Sequence, residues 1–101
     1  MNDEHAGVVR VTTFTATDGN TAGLLEAVRS NARDATQAPG CFGAQVTRVR
    51  EHPESLAVIS RWRDRDALDA FLGRHEALAH RRVGGFTSGG PVALHYEALP
   101  D

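Results

Sequence analysis

The chain contains no lysine, and all eleven of its basic residues are arginines. That excludes Schiff-base catalysis, the anchoring of pyridoxal phosphate and the lysine of a phosphate-binding P-loop. A single cysteine, Cys41, excludes an internal disulfide and any multi-cysteine metal centre. No apolar run approaches the ~20 residues of a membrane-spanning helix, so no membrane partner is expected. Basic charge is not in excess either, and a net charge of −2 gives no case for a nucleic-acid partner. The first residues, MNDEHAG, lack the basic and apolar regions of a signal peptide, which makes the cytoplasm the expected location. Two glycine pairs, Gly84-Gly85 and Gly89-Gly90, belong to neither Gly-Lys-Ser/Thr nor G-x-G-x-x-G, so they make no phosphate loop.

What is present suits one globular domain. At 101 residues, 41% hydrophobic and 24% charged, the chain can bury one core and not two. A single domain spanning 1–101 is expected, with flexible tails at 1–7 and 99–101. Val8 to Thr17 is rich in β-branched residues and reads as a strand. After the turn DGNT, whose Asp18, Asn20 or Thr21 can cap a helix, Leu24, Leu25, Val28, Ala32 and Ala35 recur at helical spacing. Pro39-Gly40 stops that helix. Phe42 to Arg50 and Leu56 to Trp62 form a hairpin across EHPES. Asp64 and Asp66 open a second helix, which runs to about Arg82 with a possible interruption at Gly73. GGFTSGGP reads as a flexible loop, suited to gating a site, and Val92 to Ala98 as a closing strand.

The order β-α-β-β-α-β is the α+β, ferredoxin-like arrangement: a four-stranded antiparallel sheet with two helices on one face. Two strands nevertheless carry apolar residues on both faces: Leu56 and Val58 against Ala57 and Ile59, and Val8 and Phe14 against Val9 and Val11. A sheet that is apolar on both faces and has helices on one needs a second cover. The expected cover is a second copy, giving a homodimer through the sheet face.

The segment that most resembles chemistry is HEALAH, His75 to His80. It falls one residue outside H-E-x-x-H. Two zinc ligands on a helix must share a face, as an i, i+4 pair does after turning ~400°. Five residues turn ~500°, so the two imidazoles diverge by ~140° and no metal site is expected. Helical phase puts His75 on an inward stripe with Leu68, Phe71 and Leu78. There it either packs at the edge of the core with one nitrogen bonded or borders a pocket and moves a proton. Trp62 reads as a structural plug at a strand end or as a substrate contact. Arg61, Arg63 and Arg65 read as a solvated edge, and Cys41 as a small buried residue.

PGCFGAQV (Pro39 to Val46) after the first helix, followed by LAVISRWRDRDALDAFL (Leu56 to Leu72), resembles the antibiotic biosynthesis monooxygenase family. The features are a strand ending in tryptophan, then a helix that opens on acidic residues with an alanine-leucine pair. The likeness covers roughly Val8 to Ala98. It implies a dimeric α+β barrel. Members include polyketide oxygenases, quinol monooxygenases, heme-degrading enzymes and proteins of no known activity.

By this resemblance two sets of site residues come forward. The heme-degrading members' asparagine, helical tryptophan and heme-ligating histidine fall near Thr12, on Phe71 and on His80. Only the histidine is kept, and Trp62 ends a strand and cannot replace the helical tryptophan. The polyketide oxygenases use no metal or organic cofactor. For them the resemblance implies aromatic walls at Trp62 and Phe71, proton transfer by His75 or His80, and Thr12 or an arginine as a donor. Leu68 stands where the better-known polyketide member has a tyrosine, and Val58 where it has an asparagine. The expectation is therefore a cofactor-independent monooxygenase acting on a small aromatic phenol, quinol or polyketide. Its alternatives are a heme protein with His80 as the axial ligand, and a non-catalytic dimeric binding module.

Overall fold

The computed structural model describes residues 6–100 as four strands and two helices. These are β1 (Val8–Thr15), α1 (Thr21–Thr36), β2 (Cys41–Arg48), β3 (Ser55–Trp62), α2 (Arg65–Val83) and β4 (Val92–Glu97). The sheet is antiparallel, in the order β2-β3-β1-β4. This is the ferredoxin-like fold, with each helix crossing over between two strands of one sheet. No helix among the described residues is long and apolar enough to cross a membrane. Of the expected tails, 1–5 and 101 lie outside the described residues. Gly7, within the first, is tied on both sides: its N–H donates to the Trp62 carbonyl and its carbonyl accepts from Ala98.

Local signals place the element ends. Asp64 caps α2 through its carboxylate, which accepts from the Ala67 N–H at 2.9 Å. α1 stops at Thr36, and Gly40 turns the chain into β2 with φ of +82°, while a Cβ there would meet Ala67 Cβ at 2.6 Å. Only glycine suits both demands. Ala16 and Thr17 leave β1 because their partners change: Ala16 bridges Thr87, and the Thr17 N–H donates to the Phe86 carbonyl. The same bonds narrow the reading of GGFTSGGP as a flexible loop. Phe86, Thr87 and Ser88 are held against the end of β1, and only the stretch from Gly89 to β4 runs without such ties.

The core explains the interior space. The inward row of β1 reads Val8, Arg10, Thr12, Phe14, and that of β3 reads Leu56, Val58, Ser60, Trp62. Register pairs them as Val8–Trp62, Arg10–Ser60, Thr12–Val58 and Phe14–Leu56. Large apolar groups sit at both ends of this double row. Val8 and Trp62 pack with Ala35, Ala67, Leu68 and Phe71, while Phe14 and Leu56 pack with Leu24, Val28 and Val83. The middle is polar or slender, so neither cluster fills it. The other face of the sheet carries Val9, Val11 and Ile59, with Val92, Leu94 and Tyr96 more than half exposed at 61%, 55% and 53%.

Candidate functional site

Between the two apolar clusters lies a cavity of about 400 Å³, within the size range of small-molecule sites. Its floor is the middle of the double row, Arg10, Thr12, Val58 and Ser60, with Ala93 of β4 beside them. Trp62 and Phe14 close its ends. Asn31 and Ala35 of α1 and a broad strip of α2 form the roof. Gly90 and Pro91, just ahead of β4, border the cavity on that side.

The strip of α2 answers the question posed by HEALAH. Phe71, His75 and Ala79 form one row four residues apart, and Leu72, Glu76 and His80 form the adjacent row. The helix runs unbroken through Gly73. A cavity that spans both rows takes in both histidines without any break, which the choice of one or the other did not allow for. They differ in setting. His75 is enclosed, its side chain 13% exposed, whereas His80 stands exposed at the rim. No group of three metal-ligating side chains occurs among the described residues.

His75 is also held from two sides. Its ring stacks on Phe71 with centroids 4.8 Å apart, and Phe71 in turn lies 5.2 Å from Trp62. His75 Nε2 is 2.7 Å from Asp34 Oδ2, which also accepts from Arg82 Nη1 at 2.6 Å. Arg82 reaches on to Asn31 Oδ1 at 3.0 Å, so this network ties α2 to α1. The hydrogen bond from Arg82, with that from His75 second, holds the Asp34 carboxyl below its ordinary range. An ionised Asp34 can only accept, so the hydrogen bond puts a hydrogen on Nε2, and in a neutral imidazole Nδ1 is then the nitrogen with the lone pair. An imidazole oriented by a carboxylate, with its other nitrogen basic, is suited to accept a proton.

The remaining expected residues separate. Thr12, Val58, Trp62 and Phe71 all line the cavity. Leu68 does not; at 3% exposure it belongs to the cluster beside Trp62, one turn before the lining strip begins. Trp62 is buried like a plug and also borders the cavity. It is 1% exposed, its Nε1–H donates to Ser60 Oγ at 2.9 Å, and its ring still forms an end wall. Cys41 is half-buried against the same cluster, where burial pushes its thiol pKa up, away from a reactive thiolate.

Four further residues join the site: Arg10, Ser60, Asp34 and Arg82. Arg10 has the most legible signal, a charge on the row that holds Val8, Thr12 and Phe14. Its Nε is shut off from solvent and has no hydrogen-bond partner.

Comparison with known proteins places this geometry. A comparison with curated protein sequences finds no match. Solved structures match along nearly the whole chain. A conserved protein of Methanosarcina mazei superposes with a TM-score of 0.84 at 15% identity, covering 96% of this chain and 97% of its own. A Shewanella oneidensis protein gives 0.80 at 19%, covering 90% and 89%. A Caulobacter crescentus protein, which carries the antibiotic biosynthesis monooxygenase name as a provisional one, gives 0.80 at 22%, covering 94% and 92%. At such identities the likeness is one of fold. The family model for antibiotic biosynthesis monooxygenase matches residues 7–83, from before β1 to the end of α2. The chain belongs to the antibiotic biosynthesis monooxygenase family.

Proposed function

We propose that this protein is a cofactor-independent monooxygenase that oxidises a small aromatic phenol, quinol or anthrone-like polyketide with dioxygen. The observation that carries the reading is the enclosed His75, oriented by Asp34 and stacked on Phe71 at the wall of an aromatic-ended cavity. His75 Nδ1 takes the acidic proton of the substrate, and Asp34 stabilises the imidazolium that forms. The resulting electron-rich anion passes an electron to dioxygen, and the two radicals combine to form a C–O bond. The imidazolium returns its proton to the peroxide; the O–O bond then breaks as the carbon loses its remaining proton, releasing water and leaving one oxygen atom in the product, with both reducing equivalents drawn from the substrate. Thr12, Ser60 and Arg10 supply donors on the floor for negative charge that develops on oxygen. The family membership supports a reaction of this general kind.

Oxygen uptake tests it, using anthrones and hydroquinones with protein freed of metals by chelation. The expected result is one dioxygen consumed per substrate, dependent on protein. Uptake only after addition of a metal, flavin or hemin would overturn it.

Heme has one observation of its own. His80 stands at the rim of the same cavity, and no hydrogen bond engages its ring among the described residues. Trp62, Phe71 and Val58 offer apolar walls to a porphyrin, and His80 would hold its iron. Bound heme would supply an oxygen-activating centre. Hemin titration separates the readings: a Soret shift that is lost in His80→Ala would favour heme.

We also propose that the apolar sheet face closes a homodimer. Val9, Val11, Ile59, Val92, Leu94 and Tyr96 form an uncovered patch of the kind that marks an association surface.

A further inference from the structure

Arg10 is the unexpected member of the inward row on β1. Val8, Thr12 and Phe14 share that row and are buried, so Arg10 projects under α2 instead of out to water. Its Nε is closed off from solvent and unpartnered. Among the described residues it forms no salt bridge. Among the described residues Glu76 is the one carboxylate bordering the cavity; its charge is felt at Arg10, but it stays beyond ion-pair distance. The strand neighbours of Arg10 are Ser60 and His95, and neither supplies a carboxylate.

A guanidinium stays charged at neutral pH even where burial disfavours its charge. Arg10 is half-buried, and a charge drawn partly out of water with no protein partner is costly, so a ligand that brings the counter-charge recovers part of that cost. A phenol cannot do so on arrival, because its ordinary pKa of about 10 leaves it neutral at pH 7. A carboxylate is ionised from the start, and its two oxygens match the guanidinium fork. We propose that Arg10 makes this cavity a site for aromatic carboxylic acids. The carboxylate meets the guanidinium on the sheet floor and the ring lies against Trp62 and Phe71. This deepens the functional reading above and rests on the cavity being the substrate site.

Trp62 is the only tryptophan in the chain, so quenching of its emission reports on this cavity directly. The probes are 1-hydroxy-2-naphthoate and its neutral carboxamide, which share a ring and a hydroxyl and differ in charge. Wild-type protein is expected to bind the acid about ten-fold or more tightly than the amide, as a charge-assisted pair should. Arg10→Gln is expected to reduce that preference to within about two-fold, and Arg10→Lys to keep a smaller preference than wild type. Circular dichroism checks that each variant is folded; should the glutamine variant fail, the lysine variant carries the comparison. Equal binding of acid and amide by wild type, no quenching by either, or an unchanged preference in a folded variant would overturn the proposal. Binding is read without turnover, so a lack of oxygen uptake would count against the monooxygenase reading and leave this result standing.

Discussion

At the scale of residues, the site depends on one carboxylate shared by an arginine and a histidine. Asp34 receives both Arg82 and His75 on the same oxygen and is held below its ordinary pKa of 3.8. A group with a depressed folded pKa adds stability above its unfolded value, and that stability is lost as pH falls through the folded one. The wild-type Tm should therefore fall more steeply than that of Asp34→Asn from about pH 5 to about pH 3. The side chain is 40% exposed, so solvent screening keeps the effect small, within about 1 kcal/mol. Thermal melts across that window check it; parallel curves would mean the pairing contributes nothing. Phe71 is different in kind, buried at 8% between Trp62 and His75. Phe71→Ala should cost about 3 kcal/mol in urea denaturation, since it removes packing and enlarges an existing cavity.

At the scale of elements, α2 is where reading by pattern and the folded chain diverge most. Strands and helices were legible because alternation and the 3.6-residue period report burial directly, and ends shifted by only a residue or two. Gly73 suggested a break because glycine weakens helix interiors, yet α2 is continuous through it. Tertiary packing on either side, through Phe71 and His75, outweighs the local propensity. A Cβ at Gly73 meets nothing within 4 Å, so Gly73→Ala should stabilise the protein by roughly 0.5–1 kcal/mol. Gly23 of α1 is the opposite case, because a Cβ there would meet the Phe86 ring at 2.6 Å. Gly23→Ala should destabilise despite the better helix former, by displacing the ring that helps hold the segment after α2. Chemical denaturation of the pair checks both signs at once.

At the scale of the whole molecule, the cavity was the least legible feature. It arises because β1 and β3 align Arg10 with Ser60 and Thr12 with Val58, and that register is not written in either strand alone. Likewise, Asp34 looks like a surface residue of α1 until α2 brings His75 and Arg82 to it. The uncovered sheet face, by contrast, was legible in the double-faced apolar pattern of two strands. If a second copy covers it, light scattering should give twice the protomer mass, and Leu94→Asp should shift the protein toward the monomer.

The proton-accepting role of His75 joins all three scales and can be tested by isotope. Protein freed of metals is given an anthrone or hydroquinone substrate under ¹⁸O₂, and product is followed by mass spectrometry. Wild type should place one ¹⁸O atom in each product molecule, and His75→Ala should slow that incorporation by about a hundred-fold or more while His80→Ala retains it. Product labelled from water, no product at all, or an undiminished rate in His75→Ala would contradict it.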